Sequence, residues 1–340
     1  MSGRILPKRC LSVLQFGLFS ALCRHAGLGA ACAGLSAEER GFKQKITEGE
    51  MNMTHIATRA KNEGVVGRTL LAGLTCMLAV GCSSIPVPPT SPAEVKEVRP
   101  GYLAGYLARK DLPDSLTLLP SPPAAGSAVS AADEEAYRTT RSARGTLRWQ
   151  LAAQDAILSF PKAAEAFSCT LGMPISQEAT PHLNMLMRRS LADAGLATYA
   201  AKDKYQRTRP FIVHKEESCT PKEEAHLSKD GSYPSGHAAL GWAWALILAE
   251  IAPERVNALL ARGHDFGQSR VICGVHWQSD VDAGRVVGAA AVARLHADPM
   301  FQAQLAAAKA EVESARIRGV KPVSDCKSDA TGVATVSHRQ

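Results

Sequence analysis

Three short segments carry residues able to handle an oxyanion. The first is Lys202-x6-Arg209-Pro210, the second Pro234-Ser235-Gly236-His237, and the third Ser269-Arg270-x5-His276-x3-Asp280. Lys202 and Arg209 are about two helical turns apart, so both cations fit one face. The Ser-Gly turn runs into an apolar stretch, and such a turn-to-helix junction presents free backbone N–H groups and a positive dipole end. His237 at that junction is placed to move a proton to or from a bound anion. His276 and Asp280 stand one helical turn apart, which sets the carboxylate beside the imidazole, fixes one tautomer and exposes the other ring nitrogen.

Together these segments supply three cations, a backbone anion nest and two histidines, one with an acid partner. That equipment suits phosphoryl transfer: Lys and Arg hold the phosphate, one His attacks, and the other protonates the leaving group. No Asp/Glu cluster is spaced to hold magnesium or zinc, so no metal and no cofactor are expected, and the cations must neutralise the charge. Each feature alone has a plainer meaning. A lysine on a helix is usually a solvated face. A His–Asp pair at this spacing is often a local contact of a few tenths of a kcal/mol. Ser-Gly before a helix is commonly just a cap. It is their ordered coincidence that favours chemistry. His182, His214, His226 and His264 fall in no such pattern. Tyr233 suits a pocket wall and ordinary packing equally, whereas Trp242 and Trp244 read as core.

The elements that must position these residues read as helical. From Ala131 the texture is helical, with acids at Asp133, Glu134 and Glu135 in a first turn. Helix is expected over 147–167 and from Pro181 to about Tyr205, the latter with Leu183, Leu186, Met187, Ser190, Leu191 and Ala194 on one face. Residues 238–249 are apolar on every side, which marks a buried central helix too short to span a bilayer. Pro253 restarts helix. Further helices are expected over about 277–296, where Gly284-x-x-x-Gly288 implies close helix contact, and over 299–317. Residues 112–127 read as turn-rich and extended. No strand alternation stands out. The expected fold is all-α: a single-domain helical bundle around a buried central helix.

The 340 residues carry 39 Lys+Arg against 32 Asp+Glu, but 10 of those bases and 5 of those acids lie in residues 1–81. That leaves 29 against 27, a balance of +2, too small for nucleic-acid binding by bulk charge. Residues 1–52 read as an upstream extension. Residues 53–82 read as an export signal: Arg59, Lys61 and Arg68, then the apolar run 70–80, then small residues. The ending Gly81-Cys82 resembles a bacterial lipobox, which would lipidate Cys82 and tether the protein to a membrane by acyl chains; ordinary cleavage nearby is the alternative. Residues 83–101 read as a Pro-rich linker, 102–320 as the body and 321–340 as a polar tail. Four body cysteines, Cys169, Cys219, Cys273 and Cys326, suit two disulfides in an oxidising compartment. Of three possible pairings, Cys169–Cys219 and Cys273–Cys326 are favoured, because each would tie a catalytic segment to a neighbouring helix. A periplasmic location follows, with outer-membrane anchoring if Cys82 is lipidated.

The three segments resemble the signature of the type 2 phosphatidic acid phosphatase superfamily, K-x6-R-P, P-S-G-H and S-R-x5-H-x3-D, in order. Gly231-Ser232-Tyr233 before the turn, and the Leu112-to-Leu116 segment, further resemble the class A bacterial non-specific acid phosphatases; Ala238 departs from the Thr that ends the longer signature there. The resemblance implies an acid phosphatase acting on small phosphomonoesters. It implies His276 as the nucleophile forming a phosphohistidine, Asp280 as its orienting acid, and His237 as general acid, then base. Lys202, Arg209 and Arg270 would clamp the phosphate, with Ser235 and the Gly236 N–H as further donors. Three other functions share these residues: a vanadium-dependent haloperoxidase, a lipid phosphatase, and a non-catalytic anion-binding lipoprotein. A homo-oligomer is compatible with the sequence.

Overall fold

The computed structural model describes residues 86–322 and Cys326. The expected extension, export signal and Cys82 lipobox therefore lie outside the described residues. Part of the expected linker carries structure. Strand β1 (Glu97–Arg99) pairs antiparallel with β2 (Tyr102–Leu103), which begins the expected body. Gly101 turns the ribbon at φ +80°, and its N–H donates to Glu97 Oε1 at 2.5 Å.

The remaining regular elements are helical, as expected. Helix α1 (Ser115–Leu118) is a single turn in a segment expected to be extended, and Asp114 caps it by accepting from Leu116 N. Helix α2 is Ala128–Thr140. The stretch expected as one helix over 147–167 is two, α3 (Leu147–Asp155) and α4 (Lys162–Leu171), interrupted before Pro161. Likewise Pro181 opens α5 (Pro181–Leu196), and a break at Ala197–Thr198 separates it from α6 (Tyr199–Tyr205). Short helices α7 (Pro210–His214) and α8 (Glu224–Leu227) follow.

Helix α9 (Gly236–Ile251) is the buried centre of the bundle. Ala238, Ala239, Leu240, Ala243, Trp244, Ala245, Ile247 and Leu248 are all essentially inaccessible. Trp244 satisfies its indole by donating to Met187 O on α5 at 3.1 Å. Helices α10 (Val256–Ile272), α11 (Gln278–Leu295) and α5 surround α9, and α12 (Pro299–Ile317) packs on α5. The approach of α11 to α9 is set by the two glycines singled out in the sequence. A Cβ at Gly284 would lie inside contact distance of Ser235 O and 2.9 Å from Ala238 Cβ, and one at Gly288 would strike Ala239 O. Among the described residues, no helix is long and apolar enough to cross a membrane.

The cysteines pair differently from the sequence expectation. Cys219 is bonded to Cys273, and Cys169 to Cys326. The backbone shows why. The loop after α7 lies along the end of α10, with Phe211 N donating to Gly274 O at 3.0 Å and Cys219 N to Cys273 O at 3.1 Å. Cys219 therefore meets Cys273 at the end of α10, while Cys169 on α4 is left to the tail. The favoured pairing matched neighbours in sequence rather than in space.

Candidate active site

Six sequence-singled residues, Lys202, Arg209, Gly236, His237, Arg270 and His276, line one pocket of about 700 Å³. They arrive from five segments. Lys202 sits on α6, and Arg209 precedes α7, whose first residue is Pro210. Gly236 and His237 open α9, and Arg270 lies in the last turn of α10. His276 occupies the turn into α11, where Asp280 takes the third position of the first turn.

That turn is pinned from several sides. Gly274 has φ +81°, and a Cβ there would lie 2.7 Å from an Arg141 nitrogen. The Arg141 side chain must come that close, because its Nη2 caps α10 by donating to Val271 O at 2.9 Å and Ile272 O at 2.6 Å. Beneath Arg270, Ser269 Oγ donates to Asp155 Oδ2 at 2.6 Å and accepts from Arg148 at 3.0 Å. Arg262 pairs with the same buried Asp155.

The nucleophile candidate is held on both ring nitrogens. His276 Nδ1 faces Asp280 Oδ2 at 3.3 Å, and Asp280 also accepts from Trp277 N at 2.9 Å. An ionised carboxylate only accepts, so Nδ1 carries the proton. Nε2 is then bare, and Arg209 Nη1 donates to it at 3.1 Å. Burial, with Arg209, Lys202 and Arg270 nearby, drives the His276 pKa well down, so the ring is neutral. His237 is fixed through its other nitrogen. Nε2 lies 3.0 Å from Ala156 O, which can only accept, so Nε2–H donates and Nδ1 is the nitrogen left for chemistry. The ring also stacks near Phe266. Burial and the Arg270 charge lower its pKa well below the ordinary value.

The cations differ in how they are satisfied. Lys202 Nζ donates to Gly231 O at 2.5 Å and faces Asp230 Oδ2 at 3.3 Å; burial and Arg209 pull its pKa down to about 8. Arg209 Nη2 meets the same carboxylate at 3.0 Å, and its other nitrogens donate to the carbonyls of Leu227, Asp230 and Val275. Arg270 is different. It is completely buried, yet none of its three nitrogens makes a hydrogen bond with the described residues. A buried guanidinium without donors satisfied is costly unless an anion completes it.

Ser235 stands behind the pocket. Its Oγ accepts from Ala238 N at 3.3 Å as the cap of α9, and its N–H donates to Asp280 O at 2.9 Å. Tyr233 packs: it is buried, meets Tyr205 edge-on and donates to Pro120 O at 3.0 Å. Trp244 is core, as expected. His226, which fits no sequence pattern, lines the pocket mouth. Sequence reasoning missed Asp230, whose acidic type one residue before Gly231 was the available signal. It also missed the Ala156 carbonyl, which no residue type announces. Among the described residues, no group of three His, Cys, Asp or Glu side chains could hold a metal ion.

Comparison with known proteins places the chain in a family. The PAP2 superfamily pattern matches residues 185–302, a span that contains all three segments. A non-specific acid phosphatase of Providencia stuartii is 50% identical over 207 residues, covering 61% of this chain and 84% of the relative. The chain belongs to the non-specific acid phosphatases of the PAP2 superfamily. The Salmonella typhimurium non-specific acid phosphatase is 46% identical over 195 residues, covering 57% of this chain and 78% of that one. An acid phosphatase of Zymomonas mobilis is 40% identical over 209 residues, covering 62% and 79% respectively. The protein is thus a phosphatase of this family, and its pocket is the candidate place of reaction.

Proposed function

We propose that this enzyme hydrolyses small phosphomonoesters at acidic pH through a phosphohistidine, without a metal ion. The observation that carries this is Arg270: a fully buried guanidinium with no hydrogen-bond partner among the described residues, on the wall shared by two neutral histidines. A phosphoryl group satisfies it, with Lys202, Arg209 and the Gly236 N–H at the head of α9 as further donors.

His276 Nε2, bare and held by the Nδ1–Asp280 contact, attacks phosphorus. Arg209 then exchanges its hydrogen bond to Nε2 for one to a phosphoryl oxygen. The ester P–O bond breaks, and His237 Nδ1–H gives its proton to the leaving alkoxide. Water next attacks the phosphohistidine, His237 takes its proton, and phosphate leaves. His237 must be protonated before the first step, although burial and Arg270 depress its pKa in the free protein. A phosphate dianion among three cations offsets that field. Because burial and Arg270 hold the free enzyme's His237 well below the ordinary histidine value of about 6.5, competence is gained only well below that pH, and kcat/KM should still be rising as pH is lowered through 5.

Residues 53–82 carry the features of an export signal ending in a lipobox-like Cys82, and two disulfides within the fold suit an oxidising compartment. Periplasmic location, with the lipid anchor on Cys82, is part of the same proposal.

The test is quenching of the enzyme in alkaline detergent during turnover of p-nitrophenyl phosphate, with chelator present throughout. The expected result is an acid-labile phosphoprotein and undiminished rate. A rate abolished by chelator and restored by metal, or turnover with no phosphoprotein at any quench time, would refute the mechanism.

A further inference from the structure

Asp280 does not hold His276 unaided. It is completely buried, and burial pushes its carboxyl up, towards the neutral form, a rise that Arg207, the Trp277 N–H and Lys202 offset only in part. A neutral Asp280 would lose its grip on the Nδ1 proton and release the tautomer that bares Nε2. One side chain outside the three segments opposes this. Arg207 Nη1 donates to Asp280 Oδ1 at 2.6 Å and to Ser279 Oγ at 2.8 Å. Its Nη2 donates to Asp133 Oδ2 at 2.8 Å. Asp133, on α2, also accepts from Ser279 N at 2.8 Å and Ser279 Oγ at 2.6 Å, closing the set over the first turn of α11.

We propose that Arg207 is a positioning residue for catalysis: bridging Asp133 and Asp280, it keeps Asp280 ionised and turns Oδ2 towards His276. The fork geometry matters as much as the charge. Arg207 reaches Oδ1, leaving Oδ2 to His276 Nδ1 and Trp277 N. Asp133 on the far side is nearly inaccessible, so each carboxylate faces a guanidinium nitrogen of its own. A role in folding alone would need no such division of the two Asp280 oxygens.

The acid side of the rate profile reports this. Asp280 faces Arg207 from the segment after α6, Lys202 from α6, Arg209 before α7, Tyr233 before α9, and His276 on its own turn, with Asp133 behind Arg207. Lys202 and Arg209 stay charged throughout the acidic range and Tyr233 stays neutral. Removing Arg207 takes away the charge that most opposes burial, so Asp280 protonates at higher pH.

This rests on the phosphohistidine reading above, and the experiment separates the two. Profiles of kcat against pH are measured for the wild-type protein, Arg207→Gln and Arg207→Lys with p-nitrophenyl phosphate, alongside inhibition by inorganic phosphate. In Arg207→Gln the acid limb should move up by about one pH unit or more, and kcat should fall at least about tenfold. The phosphate inhibition constant near pH 6 should change by less than about threefold, since the clamp is untouched. Arg207→Lys should keep the limb near wild type while kcat still falls, because one ammonium cannot span both carboxylates. The limb position does not depend on the folded fraction, so poor folding cannot imitate it. An unmoved limb in Arg207→Gln, or both variants losing rate in proportion to folded protein alone, would overturn the assignment. A wild-type protein without phosphoenzyme would instead remove the mechanism on which it stands.

Discussion

At the residue scale the proposed chemistry turns on which nitrogen of each histidine is free. His276 offers Nε2 because Asp280 takes Nδ1, and His237 offers Nδ1 because the Ala156 carbonyl takes Nε2. His276→Ala should therefore abolish both turnover and the trapped phosphoprotein, read by alkaline quench; retention of either at wild-type level contradicts its role. His237→Ala should slow esters with poor leaving groups by at least about a hundredfold, and p-nitrophenyl esters much less, because only the former need a proton. Equal losses across a leaving-group series would count against a general acid. Spacing singled out both histidines and Asp280 beforehand, and in the fold the two rings line one pocket with Asp280 against His276. It could not show Arg207, whose partners lie 73 and 74 residues away in sequence, or Asp230, which meets Lys202 across 28 residues. Periodicity describes neighbours on one helix, and these contacts join different ones.

At the scale of elements, the central helix and its glycine-lined approach were readable because both are repeats of residue type along one segment. The helix breaks were only half so. Pro161 interrupts the run and was there to be read, since it cannot donate to the preceding turn. The break at Ala197–Thr198 has no such marker. The disulfide pairing was not legible at all, because it depends on which loop lies along the end of α10. Gly284 gives a direct test of the packing. Gly284→Ala forces its methyl against Ser235 O and Ala238 Cβ, atoms of the buried helix that cannot swing aside. The cost should be about 1–3 kcal/mol, lowering Tm by several degrees. Because Ser235 leads into Gly236 and His237, kcat of the remaining folded protein should fall as well. A variant with wild-type Tm and kcat would show that α11 can retreat freely.

For the molecule as a whole, one pocket concentrates positive charge while the body is close to neutral. Lys202 is the member able to lose its charge, since its pKa falls to about 8 and the free enzyme sheds that proton as pH rises. A bound anion needs the charged form, so the inorganic phosphate inhibition constant should climb above pH 8, by up to about tenfold per unit. Lys202→Arg should remove the climb, because a guanidinium stays protonated there. Competitive inhibition measured from pH 7 to 10 checks both; a flat wild-type profile would mean that Lys202 is not among the anion's partners. The same proton links to stability. The unfolded chain holds it up to about pH 10.5 and the native one only to about 8, so this lysine's contribution becomes more favourable through that interval.

The Cys169–Cys326 bridge ties a point beyond α12 back to α4 near the start of the bundle. A single proteolytic nick between residues 318 and 325 would therefore liberate nothing. The severed end would travel with the enzyme through purification and separate only once a thiol reagent was added.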